Sequence, residues 1–119
     1  MLKIRTEQLN VLKNYMDLKF EKFMVVYLRN LFEKDCESLG ENRLRLLIKK
    51  GIEDANTYGI ETYSEIAKYM SLFFFLSVDF DKNEKYPWAR EKLNRKNISE
   101  IEKVQFLMQK TRESIQRSK

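Results

Sequence analysis

The chain has 119 residues, 43% of them apolar, 34% charged and 13% aromatic, with a formal net charge of +5. That is a single-domain length able to bury a core, and the composition is that of a soluble globular protein. There is no histidine and one cysteine, Cys36, which removes the commonest general base, every Ser-His or Cys-His nucleophile pair, an internal disulfide framework and the usual zinc ligand sets.

The charge is uneven. Residues 1–84 carry 13 basic against 14 acidic side chains, net −1, whereas residues 85–119 carry 10 against 4, net +6. The start, "MLKIRTEQLN", lacks the apolar stretch of a secretory signal. The most apolar run, "YMSLFFFLSV" at 69–78, has about half the length a membrane span needs. A cytoplasmic protein is expected, with Cys36 as a half-buried helix residue and not a redox centre.

Only three glycines and one proline punctuate the chain, so long helices are expected. The first runs from about Thr6 to Glu37. Leu9, Leu12, Tyr15 or Met16, Phe20, Phe23, Tyr27 and Leu31 recur at steps of three and four, Thr6 is a suitable N-cap, and Gly40 supplies the stop. At roughly 45 Å it leaves room for a bend, or a break near Glu33–Asp35. A second helix fits Glu41–Tyr58, with Leu44, Leu47, Ile48, Ile52 and Ala55 inward. Gly51 inside it costs about 1 kcal/mol against alanine, which predicts close packing there and not a break. Gly59 in "YGI" ends the helix.

A third helix opens on the capping box "TYSE", Thr62 and Glu65. Its apolar residues run nearly all round, through Phe74 to Val78, which predicts a buried central helix over 62–78. Pro87 fits the first turn of a short helix, "PWAREKLN". "NISE" or "SEIE" at 97–102 caps a last helix to about Arg117, with Ile101, Val104 or Gln105, Met108 and Ile115 at loose helical spacing. The final residues are expected to fray. The pattern predicts one all-α domain, 1–119, a compact bundle of about five helices.

The stretch "LSVDFDKNEKYPWA", 76–89, holds the chemistry worth weighing. Asp79, Asp81 and Asn83 match the first three ligands of a calcium loop, but Glu84 stands where glycine is required and Arg90 where the bidentate glutamate belongs. No metal site is expected. A carboxylate-pair hydrolase would need a framework that nothing here supplies, and three scattered glycines make no phosphate cradle. The basic C-terminal third could track nucleic acid, yet its cations alternate with Glu91, Glu100, Glu102 and Glu113 as on a solvated helix face. Tyr86 and Trp88, like Tyr58 and Tyr63 at the earlier turn, are either core or anchors for a protein partner.

Together, "IRTEQLNVL", "LRLLIKKGIEDANTYGIET" and "DFDKNEKYPWAREKL" resemble small helical proteins encoded beside the spike (VgrG- or PAAR-type) and effector genes of bacterial type VI secretion systems. The resemblance covers roughly residues 4–93. "YGI" and "DFD…PWA" are its most specific parts, and Arg5, Gln8, Gly51, Tyr58, Gly59, Asp79, Phe80, Asp81, Pro87, Trp88 and Ala89 carry it. It implies an accessory protein, a chaperone or adaptor that binds an effector, toxin or spike component, or an immunity protein that neutralises a toxin. The missing histidine, glycine loop and carboxylate framework make a non-enzymatic role without cofactor the expectation. The alternative from another class is a nucleic-acid-binding protein using the basic third. The residues expected at a partner surface are Tyr58, Asp79, Asp81, Tyr86 and Trp88.

Overall fold

A computed structural model describes residues 6–117, without the side chains of residues 6–10 and Leu12. Arg5, the side chains of Thr6, Gln8, Leu9 and Leu12, and the tail expected to fray therefore lie outside the described residues. Among those described, the chain forms six α-helices and no strand: α1 (Thr6–Leu31), α2 (Glu33–Leu39), α3 (Glu41–Thr57), α4 (Tyr63–Phe75), α5 (Pro87–Leu93) and α6 (Glu100–Arg117). The all-α class holds. The chain divides into two compact units, Met1–Ile48 and Lys49–Lys119, with the division inside α3.

In the first unit, the predicted N-terminal helix is two helices. Phe32 leaves helical geometry at φ −131°, ψ 55°, although its N–H still donates to Leu28 O at 2.7 Å and its carbonyl accepts from Cys36 N at 2.9 Å. Glu33 and Asp35 then occupy the first turn of α2, where acidic side chains favour a new helix N-terminus. The buried side of α1 is Phe20, Met24, Val25 and Leu28, whereas Tyr15, Met16, Phe23 and Leu31 are exposed. Of the expected inner face Phe20 is buried and Tyr27 half-buried; the true inner side is turned toward Met24 and Leu28, and α1, apolar on most of its circumference, hides that rotation. Gly40 ends α2 at φ 80°, donates to Cys36 O at 3.0 Å and accepts from Leu44 N at 3.0 Å. Cys36 is buried, and burial, with Asp35 beside it, pushes its thiol pKa up. A reactive thiolate has the opposite environment.

In the second unit, α3 ends in a Schellman motif. Ile60 N donates to Ala55 O at 2.8 Å and Gly59 N to Asn56 O at 3.0 Å, with Gly59 at φ 79° and both Ile60 and Ala55 buried. Gly51 is packed as its position mid-helix predicts: a Cβ there would lie 2.9 Å from Met70 Cγ and 3.0 Å from Phe73 Cε2. These distances decide the sign of a substitution. Gly51→Ala gains about 1 kcal/mol of helix propensity but overpacks the contact with α4 at about 1–3 kcal/mol. The expected result is a net loss near 1 kcal/mol by chemical denaturation, and a stabilised variant would contradict this packing.

The central helix is shorter than predicted. α4 stops at Phe75, and Leu76 turns to φ −113°, ψ −84°. Ile66, Ala67, Tyr69, Met70, Leu72 and Phe73 are buried, but Phe74 is half-buried and Phe75 is 45% exposed. The inner side of α4 thus ends one residue before the expected core position, Phe74.

The start of α4 departs from the predicted capping box. Thr62 makes no side-chain cap bond. Glu100, the first residue of α6, supplies the acceptor: its Oε1 takes the N–H of Thr62 at 2.9 Å and of Glu61 at 3.3 Å. At α6 the predicted box is half realised, Ser99 Oγ accepting from Glu102 N at 3.2 Å. The backbone N–H of Thr62 holds the Glu100 carboxyl below the usual glutamate range. A depressed folded-state pKa stabilises above the unfolded value and loses that contribution as pH falls through the depressed one. Glu100→Gln is therefore expected to lower stability by about 0.5–1 kcal/mol at neutral pH. The gap from wild type should close in acid, as the pH falls below the usual glutamate range and the carboxylate is protonated. An equal gap at both pH values would overturn this role.

The inner face of α6 is Lys103, Val104, Leu107 and Thr111. Ile101 and Ile115, expected inward, are exposed, and Met108 is half-buried. Two polar residues hide this phase from an apolar count. Thr111 satisfies its own hydroxyl on Leu107 O at 2.7 Å, and Lys103 is held by carbonyls.

Candidate functional site

The segment between α4 and α5 is a run of turns closed by its own short side chains. Phe80 N donates to Ser77 O at 3.2 Å, Lys82 N to Asp79 O at 2.9 Å and Tyr86 N to Asn83 O at 3.0 Å. Asp79 Oδ1 accepts from Ser77 Oγ at 2.8 Å and from Asn83 Nδ2 at 3.3 Å. Asn83 Oδ1 also accepts from Lys85 N at 2.9 Å. The Ser77 and Asn83 bonds draw the exposed Asp79 carboxyl below its ordinary pKa.

Asp81 faces the other way. It is 2% exposed and accepts from the Tyr58 hydroxyl at 2.7 Å. This bond ties the turn after α3 to the turn after α4, 23 residues apart in the chain. Burial first, and then the Asp81 hydrogen bond, push the Tyr58 phenol well above its ordinary pKa. Asp79 and Asp81, alternate in sequence, thus have separate partners. Among the described residues no group of three or more His, Cys, Asp or Glu side chains is placed to hold a metal ion.

Beneath the corner lies an aromatic cluster. Phe80 is fully buried, with its ring 5.2 Å from Tyr69 and 6.0 Å from Phe73, and Tyr69 lies 6.4 Å from Tyr58. The Tyr69 hydroxyl finds no partner among the described residues, and burial drives its pKa far up. Past the corner, Tyr86 is buried and Trp88 half-buried, their rings at 5.9 Å edge to face. Pro87 begins α5, as expected.

The five residues expected at a partner surface are therefore divided by burial. Tyr58 and Asp81 join to each other, Tyr86 is packed, and Asp79 with the outer part of Trp88 faces outward. A hollow beside them is lined by Lys82, Asn83, Glu84, Pro87, Arg90 and Asn94.

No family model, curated protein or solved structure matches this chain.

Two determinants of this region escape a motif search. The first is the Glu100 cap. The second is Lys103, 7% exposed, whose Nζ donates to Tyr58 O at 2.7 Å and to Leu93 O at 3.0 Å. Those carbonyls lie at the C-terminal ends of α3 and α5, where orphan acceptors and the helix dipole favour a cation. Burial pushes the Lys103 pKa down. Elsewhere in the basic third, Arg95 pairs with Glu91 at 2.8 Å, Lys110 lies 3.7 Å from Glu113, and Lys92 sits 4.6 Å above the Phe106 ring.

Proposed function

We propose that this protein is a non-enzymatic, protein-binding accessory of a bacterial type VI secretion effector module, acting in the cytoplasm as a chaperone or adaptor. One observation supports this reading above the others. "YGI" and "DFD…PWA", the two most specific parts of the resemblance, are joined by the Tyr58–Asp81 hydrogen bond. The paired segments brace a corner that presents Asp79 and the open side of Trp88 beside a hollow. An exposed carboxylate next to a half-buried indole suits a protein contact, where an aromatic anchor is ringed by polar groups. Tyr58, Asp81 and Tyr86 hold that presentation in place.

The test is co-expression with the products of the adjacent genes. A stable complex with an effector or spike product, and loss of that effector's secretion when this protein is removed, supports the adaptor role. Neutralisation of an adjacent toxin at equal stoichiometry would make the protein an immunity protein. Failure to retain any neighbouring product, with sub-micromolar, salt-sensitive binding to DNA or RNA through Lys92, Arg95 and Lys96, would replace the reading by the nucleic-acid one.

A further inference from the structure

Between Val11 and Val26 the outward side of α1 is an apolar face whose charged groups, among the described residues, are all positive. It exposes Val11, Tyr15, Met16, Leu18, Phe23 and Val26. At 100° per residue these occupy one sector of roughly 160°, about 22 Å long. Lys19 and Lys22, both exposed, fall in the middle of that sector. The Lys19 ammonium is held over the Tyr15 ring at 4.7 Å. Asp17 and Glu21, the acidic residues in this part of α1, fall outside the sector. The opposite side, Phe20, Met24 and Leu28, is buried.

The position of the two cations selects the occupant. A helix that lies in a membrane surface carries its lysines at the edges of the apolar face or opposite it. Here insertion would carry two ammoniums in at the centre of the face. A second copy would bring lysine-bearing faces together with no carboxylate between them, a repulsion that disfavours pairing. A partner helix with an apolar stripe and two carboxylates one turn apart would cover the Val, Leu and aromatic side chains and pair both cations in place.

We infer that α1 is a docking surface for an acidic amphipathic helix of a partner protein, with Lys19 and Lys22 reading two carboxylates three or four residues apart. The inference rests on the protein-binding reading above, and assigns it a second contact surface and a partner chemistry.

The test uses two synthetic amphipathic helices that differ only at two positions, three residues apart within a leucine stripe, occupied by Glu in one and Lys in the other. Fluorescence anisotropy against the full chain is expected to find the Glu peptide bound about tenfold more tightly than the Lys peptide. The double variant Lys19→Glu/Lys22→Glu should reverse that order with unchanged circular dichroism and thermal midpoint. Equal affinities for the two peptides, or no binding of either, would overturn the inference. So would binding to anionic phosphatidylserine vesicles without peptide discrimination, or a homodimer in light scattering. The same double variant, carried through co-expression with the adjacent gene products, separates the two levels. Undiminished capture would sink the α1 surface alone, whereas no capture by wild type would sink the protein-binding reading itself.

Discussion

Phe80→Ala is expected to lower the unfolding free energy by about 3–5 kcal/mol, as removal of a fully buried aromatic ring does where the walls cannot close. Phe80 is the member of the corner that enters the core, between Tyr69 and Phe73. On either side of it the chain turns Asp79 outward and Asp81 inward, so collapse around the missing ring would have to move the Tyr58–Asp81 bond. The measurement is denaturant unfolding with an unchanged m-value. A loss under about 1 kcal/mol would mean that the corner is not anchored through this ring. Phe74→Ala, at a half-buried position, should fall well short of the Phe80 effect.

Lys103→Met carries the second large effect. Methionine keeps much of the stem's volume and removes the buried ammonium. The carbonyls of Tyr58 and Leu93 then lose the donor they share. An unpaired buried acceptor costs about 1–3 kcal/mol, so the expected loss is about 2–4 kcal/mol for the two, partly offset because no charge remains to be desolvated. Lys103→Arg, whose planar fork is less easily placed between the carbonyls, should recover part of the loss. A neutral Lys103→Met would show that the ammonium contributes nothing beyond its stem.

What was legible in the sequence follows from which signals are local. The Gly59 stop and the Pro87 start depend on backbone sterics within a few residues, and the structure agrees with both. The close packing expected at Gly51 is also found, although the atoms it meets, on Met70 and Phe73, come from α4. Helix phase is less legible. α1 is apolar nearly all round, so steps of three and four can be drawn on its exposed side as easily as its buried one. In α6 the inner face includes Lys103 and Thr111, polar residues that an apolar count passes over although each is satisfied by carbonyls. The Glu100 cap on Thr62 joins residues 38 apart, and the local box at Thr62–Glu65 was the only visible candidate. At the corner, Asp79 and Asp81 look equivalent as alternate carboxylates, and only the fold assigns them to opposite sides.

The most direct measurement of the central claim, that the braced corner presents a protein-binding surface, is made on Trp88→Ala with stability and partner affinity determined on one preparation. Trp88 is half-buried against Tyr86, so truncation should lower stability by roughly 1–2 kcal/mol, below the cost of a fully buried aromatic. It should weaken capture of the co-purifying gene product by about 2 kcal/mol or more, some 30-fold. A stability loss of several kcal/mol, with the affinity of the remaining folded protein unchanged, would make Trp88 a core residue and contradict the account.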